Sequence, residues 1–476
     1  MSLKLPDKGQ WAFIGLVMCL VTYYTGSVAV YFLNGKTPLY IWKNFDSMLL
    51  WRIITESNIR TDIRLTAIPS LLSGMVSSLI VPVFIIWQLN KTDVALYGDA
   101  KFASDNDLRK SKLLKWEKEN DTDILVGAYK GKYLWYTAPD FVSLGAGTRA
   151  GKGAAIGIPN LLVRKHSLTA LDPKQELWKI TSKVREILLG NKVYLLDPFN
   201  SKTHQFNPLF YIDLKAESGA KDLLKLIEIL FPSYGMTGAE AHFNNLAGQY
   251  WTGLAKLLHF FINYEPSWLN EFGLKPVFSI GSVVDLYSNI DRELILSKRE
   301  ELEGTNGLDE NALYHLRDAL TKIREYHETE DEQRSSIDGS FRKKMSLFYL
   351  PTVRKCTDGN DFDLRQLRRE DITVYVGVNA EDISLAYDFL NLFFNFVVEV
   401  TLRENPDFDP TLKHDCLMFL DEFPSIGYMP IIKKGSGYIA GFKLKLLTIY
   451  QNISQLNEIY GIEGAKTLMS AHPCRI

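Results

Sequence analysis

Residues 141–153 read Phe141-Val142-Ser143-Leu144-Gly145-Ala146-Gly147-Thr148-Arg149-Ala150-Gly151-Lys152-Gly153, and an apolar segment follows to about Leu162. The order is β-type run, glycine-rich loop, helix. In that order successive backbone N–H groups and the helix N-terminus surround an anion, and a lysine at the loop's end reaches the β- and γ-phosphates of a nucleotide. The loop Gly147, Thr148, Arg149, Ala150, Gly151, Lys152 and Gly153 is therefore the expected phosphate cradle, with ATP and Mg²⁺ as cofactors. It departs from G-x-x-x-x-G-K-[ST] at both ends, with Ala146 for the first glycine and Gly153 for the hydroxyl residue that normally meets Mg²⁺. A glycine-rich turn that binds nothing is the competing reading, so a second feature has to decide.

That feature is Cys416-Leu417-Met418-Phe419-Leu420-Asp421-Glu422, an apolar strand that delivers two carboxylates at its C-terminal end. The first, Asp421, is expected to hold Mg²⁺, and the second, Glu422, to orient or deprotonate the attacking water. An acidic pair after a strand is often only a loop start, but beside a phosphate loop it points to hydrolysis. A further strand, Leu446–Tyr450, ends in Gln451, whose amide could sense the γ-phosphate or the water; an ordinary solvated glutamine is the alternative.

Outward from these motifs, short β-rich runs alternate with helical ones: ILVGAY, YLWY, FVSLG, SLTAL, KVYLL, ITVYVGV, CLMFL and LLTIY. The alternation predicts an α/β domain with a mainly parallel sheet. Between Asn207-Pro208-Leu209 and Ile372 the period is helical, with Leu254, Leu258 and Phe261 on one face and Leu313, Leu316, Leu320 and Ile323 on another. The expected organisation is a nucleotide domain over 93–212 and 346–476, interrupted by an all-α insertion over 213–345. Residues 291–344 carry dense charge of both signs, which fits a solvated helical face or a contact surface for cargo. His242 and His259 have no metal-ligand partner nearby in sequence and are expected to be core or cap residues.

The chain has 476 residues, and 54 Lys+Arg against 56 Asp+Glu leave a net charge of −2, so no global basic field holds nucleic acid. Any such contact must be local. The cysteines, Cys19, Cys356, Cys416 and Cys474, form no C-x-x-C pair and suggest neither a zinc site nor a disulfide framework. Residues 11–33 and 65–89 contain no charged side chain, and each is long enough as a helix to cross a bilayer. A two-helix transmembrane anchor over 1–92 is the expectation. The first stretch also fits a signal peptide, with Lys4 and Lys8 before the apolar run and Ser27-Val28-Ala29 as a cleavage site. In either case the second span returns the rest of the chain to the cytoplasm, although Lys36, Lys43, Arg52, Arg60 and Arg64 in the connection run against the positive-inside tendency.

Taken in order, several segments resemble the TraG/TraD-type coupling proteins of type IV secretion and conjugation. Tyr97–Ala103 (YGDAKFA) is similar to that family's segment just after the membrane, and Ala146–Gly153 (AGTRAGKG) to its phosphate loop, including the glycine at 153. Asp172-Pro173-Lys174 with Glu176 resembles its D-P-K-G-E turn, from which Gln175 departs at the glycine. Asp197-Pro198-Phe199, Asn207-Pro208-Leu209, Leu420–Gly427 (LDEFPSIG), and Gln451 with Ser454-Gln455-Leu456 complete the set. The resemblance implies a RecA-like ATPase, anchored in the bacterial inner membrane and assembled as a homo-hexamer. It implies delivery of relaxase–DNA complexes, single-stranded DNA or effector proteins to the channel subunits of the secretion system. The last residue here is Ile476, where members of that family continue, so a complete outer sheet edge is not expected. No arginine stands in Gly435–Lys445, where some members place one that reaches a neighbour's site; Arg475, Arg149 and Lys443 are the alternatives. Rival readings are a DNA translocase of the chromosome-segregation kind and a docking receptor with little turnover.

Overall fold

The computed structural model describes residues 8–56, 61, 65, 69, 103–147 and 149–476. They fall into two units, 1–103 and 104–476. In the first unit, helix Lys8–Leu33 covers the first uncharged stretch. Two short helices come next, Pro38–Asn44 and Leu49–Thr55, and Thr37 caps the first of them by accepting from Tyr40 N–H at 3.4 Å. The side chains of 8–16 lie outside what is described, and over the described residues no helix is long and apolar enough to cross a membrane. The second expected span, apart from residues 65 and 69, and the segment 97–102 also lie outside the described residues.

The second unit opens with the short helix Asp105–Lys110, followed by β1 (Leu114–Lys115), β2 (Ile124–Tyr129) and β3 (Lys132–Tyr136), which form a three-stranded sheet in the order β1-β3-β2. Two of the β-type runs, ILVGAY and YLWY, lie outside the mainly parallel sheet expected and pair antiparallel here. Lys130 and Gly131 both take positive φ, 51° and 76°, and make the two-residue turn that folds strands back antiparallel; a parallel partner would need a long crossover.

The remaining strands are β4 (Val142–Gly145), β5 (Leu168–Leu171), β6 (Lys192–Leu196), β7 (Ile372–Val376), β8 (Cys416–Leu420), β9 (Leu444–Tyr450) and β10 (Cys474–Arg475). They form a seven-stranded sheet in the order β10-β4-β9-β8-β5-β7-β6. Every pairing in it is parallel. The strands β5, β7, β8 and β9 are buried along their whole length, as parallel strands covered on both faces must be. Cys474–Arg475 forms the strand beyond β4, with Ile476 N–H donating to Ser143 O at 2.9 Å.

Between β6 and β7 the regular structure is helical. Helix Gly238–Asn263 runs through the middle and is buried on all sides from Ala247 to Phe261, apart from Gln249 and the half-buried His259. It packs on helices Ile280–Asn289, Glu310–His327 and Asp331–Met345. Of the expected faces, Leu254, Leu258, Phe261, Leu316, Leu320 and Ile323 are buried and Leu313 is half-buried. A Cβ at Gly253 would lie 2.9 Å from Lys322 Cβ, so glycine is what lets helix Glu310–His327 approach. The core of this helical region is continuous with one face of the sheet, through the apolar helix Tyr387–Leu402. Of the two histidines, His259 is half-buried against Phe278, whereas His242 is exposed on the first turns of its helix and is no core residue.

Candidate nucleotide-binding site

The parallel register brings the ends of β4, β9, β8 and β5 to one edge: Gly145 pairs with Tyr450, Leu420 with Thr448, and Leu171 with Leu420. The loops leaving these strands therefore share one crevice, as is usual at the carboxyl ends of an open α/β sheet. The loop after β4 turns sharply, with Arg149 at φ 64° and Gly151 at φ 79°, and Ala150 N–H donates to Gly147 O at 3.3 Å. Thr148 lies outside the described residues. The helix after the loop opens with a π-turn, Gly153–Gly157, before Ile158–Val163. Pro159 has no N–H to give Ala155, and Ile158 N–H reaches back instead to Gly153 O.

Lys152 Nζ lies 3.5 Å from Asp421 Oδ1 and 3.3 Å from Glu422 Oε2. Gln451 Nε2 donates to the same Glu422 Oε2 at 3.1 Å. The strand order explains this meeting, because β9 lies between β4 and β8 and its last residue leads into Gln451 between lysine and carboxylates. Glu422 takes a left-handed backbone, φ 76° and ψ 53°, a conformation that costs a non-glycine residue about 1–2 kcal/mol and that concentrates at functional sites. Five residues on, Gly427 ends the turn at φ 81°, and a Cβ there would fall 2.0 Å from the Tyr387 hydroxyl.

Burial pushes the Asp421 carboxyl above its ordinary value, opposed by Lys152 and raised further by Glu422. Its Oδ1 is buried without a hydrogen-bond partner, and the 3.5 Å approach of Lys152 is too long to serve as one. A buried, unpartnered carboxylate oxygen is the donor a hard cation takes. A Cβ added at Gly147, Gly151 or Gly153 would meet no atom within 4 Å, so the loop is uncrowded at these positions. The residues present thus fit a nucleotide and its magnesium ion.

Two residues that received no role from sequence complete the surroundings. Asp172, at the end of β5, accepts from Glu176 N–H at 3.0 Å and Trp178 N–H at 2.8 Å, capping helix Glu176–Ile187. Burial raises its carboxyl, and the neighbouring Asp421 raises it further. Lys174, in the same turn, acts on Asp421 electrostatically. Gln175, where the family turn has glycine, adopts φ 52°, and its Nε2 donates to Asp197 Oδ2 at 2.8 Å. Of the arginine alternatives, Arg475 is tied to its own turn, donating to His472 O at 3.2 Å and Met469 O at 2.8 Å. Lys443 precedes β9, at the other end of the sheet, and donates to Leu412 O at 2.9 Å. Arg149 is exposed in the loop itself.

Residues 101–476 match the model of the family described as "Type IV secretory system Conjugative DNA transfer". The chain is 24% identical over 481 residues to the conjugal transfer protein TraG of Escherichia coli, covering 96% of this chain and 73% of that protein. It is 28% identical over 343 residues to protein VirD4 of Agrobacterium fabrum, covering 71% of this chain and 47% of that protein. Among solved structures, plasmid coupling protein TrwB in complex with ADP and Mg²⁺ aligns at TM-score 0.48 and 16% identity, over 71% of this chain and 70% of that one. With most of its length matched by that family model, the chain belongs to the type IV secretory system conjugative DNA transfer family.

Proposed function

We propose that this chain is an inner-membrane coupling ATPase, which recruits relaxase–DNA complexes or effector proteins to a type IV secretion channel and drives their transfer by ATP hydrolysis. One observation carries the proposal: in a chain of this family, Lys152, Asp421, Glu422 and Gln451 converge at one edge of the parallel sheet. Bound Mg²⁺–ATP supplies the phosphoryl group that passes to water. Lys152 and the backbone of 147–153 would hold phosphate oxygens, moving the lysine off the carboxylates it now pairs with. Asp421 would hold the cation through its unpartnered Oδ1. Glu422 would orient a water and accept its proton, with Gln451 fixing the position of Oε2.

The rest of the reading rests on the resemblance. A RecA-like domain over 93–212 and 346–476 would carry an all-α cargo-contacting insertion over 213–345, and residues 1–92 would anchor it by helices near 11–33 and 65–89. The partners would be five further copies of the chain in a hexamer, channel subunits of the secretion system, single-stranded DNA and the bilayer. An ATPase assay on the purified full chain, with and without single-stranded DNA, tests the central claim. Turnover that rises with protein concentration and vanishes in Lys152→Ala is expected. Absence of turnover in both conditions, with nucleotide still bound, would favour a docking receptor instead.

A further inference from the structure

At the end of the sheet opposite the nucleotide crevice, three side chains that lie far apart in sequence come together. His166 stands just before β5, Asp371 just before β7 and His414 just before β8, and these three strands are neighbours in the order β8-β5-β7. The imidazoles of His166 and His414 stack with centroids 4.7 Å apart and an interplanar angle of 23°. His414 Nδ1 lies 2.6 Å from Asp371 Oδ1. One donor atom from each residue can be chosen so that all lie within 4.8 Å of one another. A fourth side chain, the carboxylate of Asp121, brings Oδ2 to 3.8 Å from His166 Nδ1.

We infer that His166, Asp371 and His414 form a binding site for a divalent transition-metal ion of the zinc type, independent of the nucleotide site. Two imidazole nitrogens and one carboxylate oxygen are the ligand set of borderline ions such as Zn²⁺ or Co²⁺, whereas Mg²⁺ and Ca²⁺ prefer all-oxygen sites. Tetrahedral coordination at Zn–N of about 2.0–2.1 Å separates ligand atoms by about 3.3 Å, so no pair needs to close by more than about 1.5 Å. The side chains of His166, His414 and Asp371 are 26%, 24% and 16% exposed, which leaves them room to turn and an ion a path in.

Their backbones, by contrast, are fixed. His166 N–H donates to Asp121 Oδ2 at 2.6 Å, and its carbonyl accepts from the fully buried Arg185 at 2.9 Å. His414 N–H donates to Arg368 O at 2.9 Å, and the Ser167 hydroxyl links Glu370 O to Ile372 N–H on either side of Asp371. Arg164 opposes a cation here, and Asp121 and Asp371 offset it. A bound ion would tie β8, β5 and β7 together at their starts. Of these strands, β8 and β5 carry Asp421 and Asp172 at their other ends.

The test is metal binding by the purified full chain after chelator treatment, with Zn²⁺ as the probe, followed by calorimetry and elemental analysis. One equivalent of Zn²⁺ per chain is expected. It should bind at least about 100-fold more weakly in His166→Ala and in His414→Ala. Zn²⁺ should raise the unfolding temperature of the parent and not of these variants. Nucleotide binding with Mg²⁺ should be unchanged in both variants, which separates loss of this site from failure of the nucleotide reading. Failure of the parent to take up Zn²⁺, or an equivalent retained by the His166→Ala/His414→Ala double variant, would overturn the proposal. Should the alanine variants not fold, the Co²⁺-loaded parent decides: an intense tetrahedral visible spectrum supports the site, and a weak octahedral one refutes it.

Discussion

Gln451 and Glu422, 29 residues apart in sequence, share a hydrogen bond of 3.1 Å from Nε2 to Oε2, and Lys152 Nζ lies 3.3 Å from that same oxygen. Glu422 is thus held from two sides through one atom. On the proposed role of Lys152, nucleotide would draw it away and leave Gln451 as the side-chain contact on that oxygen. Gln451→Ala is therefore expected to lower kcat about 100-fold, the usual effect of a misplaced catalytic group, while nucleotide affinity changes little. Steady-state kinetics with a fluorescent-nucleotide titration checks both halves.

Asp421 faces the opposite demand in the two states of the site. Its folded pKa is raised, first by burial, so the folded state holds this proton more tightly than the unfolded chain does. Without nucleotide, its contribution to stability therefore declines as pH rises above the ordinary carboxylate value of about 4. Asp421→Asn should remove that decline and raise the unfolding temperature of the nucleotide-free protein at neutral pH, while abolishing hydrolysis with modest loss of nucleotide binding. Thermal denaturation across pH, with a parallel activity assay, would reveal a wrong assignment as parental turnover.

The left-handed backbone of Glu422, φ 76°, makes two replacements diverge. Glu422→Gly and Glu422→Gln both remove the carboxylate proposed to accept the proton and should both lose turnover. The glycine relieves a backbone cost of about 1 kcal/mol, and the glutamine does not. In chemical denaturation the glycine variant should be the more stable of the pair.

Open space surrounds Gly153, and its φ is not positive. Gly153→Ser should therefore fold with stability within about 0.5 kcal/mol of the parent. It should also bind Mg²⁺–nucleotide at least as tightly, since its hydroxyl adds a further oxygen ligand beside Asp421. Magnesium titration of nucleotide affinity measures this. Weaker binding would mean that the space beside Gly153 is needed for the phosphates themselves.

Two histidines contribute to the acid limb of stability. Burial holds the imidazoles of His259 and His472 down to about 4. A base depressed in the fold stabilises it above its unfolded value and loses that contribution as pH falls, here from about 6.5 through about 4. Across that window of about 2.5 pH units the loss is at most about 3 kcal/mol for each residue. His259 lies against Phe278, and His259→Leu should make the acid limb shallower in urea melts without changing stability at pH 8 by more than about 1 kcal/mol.

Much of this protein is determined by its sequence locally. The β-type runs were legible because side-chain period belongs to the chain itself, and all eight became strands. Strand, glycine-rich loop and helix around Lys152 are contiguous, and so are the strand and carboxylates of Leu420-Asp421-Glu422. The two helical faces, through Leu254 and through Leu316, were readable for the same reason. The N-terminal pattern of uncharged residues is equally local, though its second stretch lies outside the described residues, apart from residues 65 and 69.

What periodicity cannot encode is which strands become neighbours. Crossover connections and packing place β9 between β4 and β8, and that insertion alone sets Gln451 on Glu422. The same order gathers His166, Asp371 and His414 at the far edge. From sequence, where no two of them share a motif spacing, the chain gave no sign of a zinc-type cluster. Conformation at single residues was decided in three dimensions too: the left-handed Glu422 and Gln175 are held by contacts from distant segments. Sequence determined which chemical groups end each strand, because alternation and loop composition act over a few residues. Tertiary structure determined which of those groups meet, because strand order is fixed by burying both faces of one sheet.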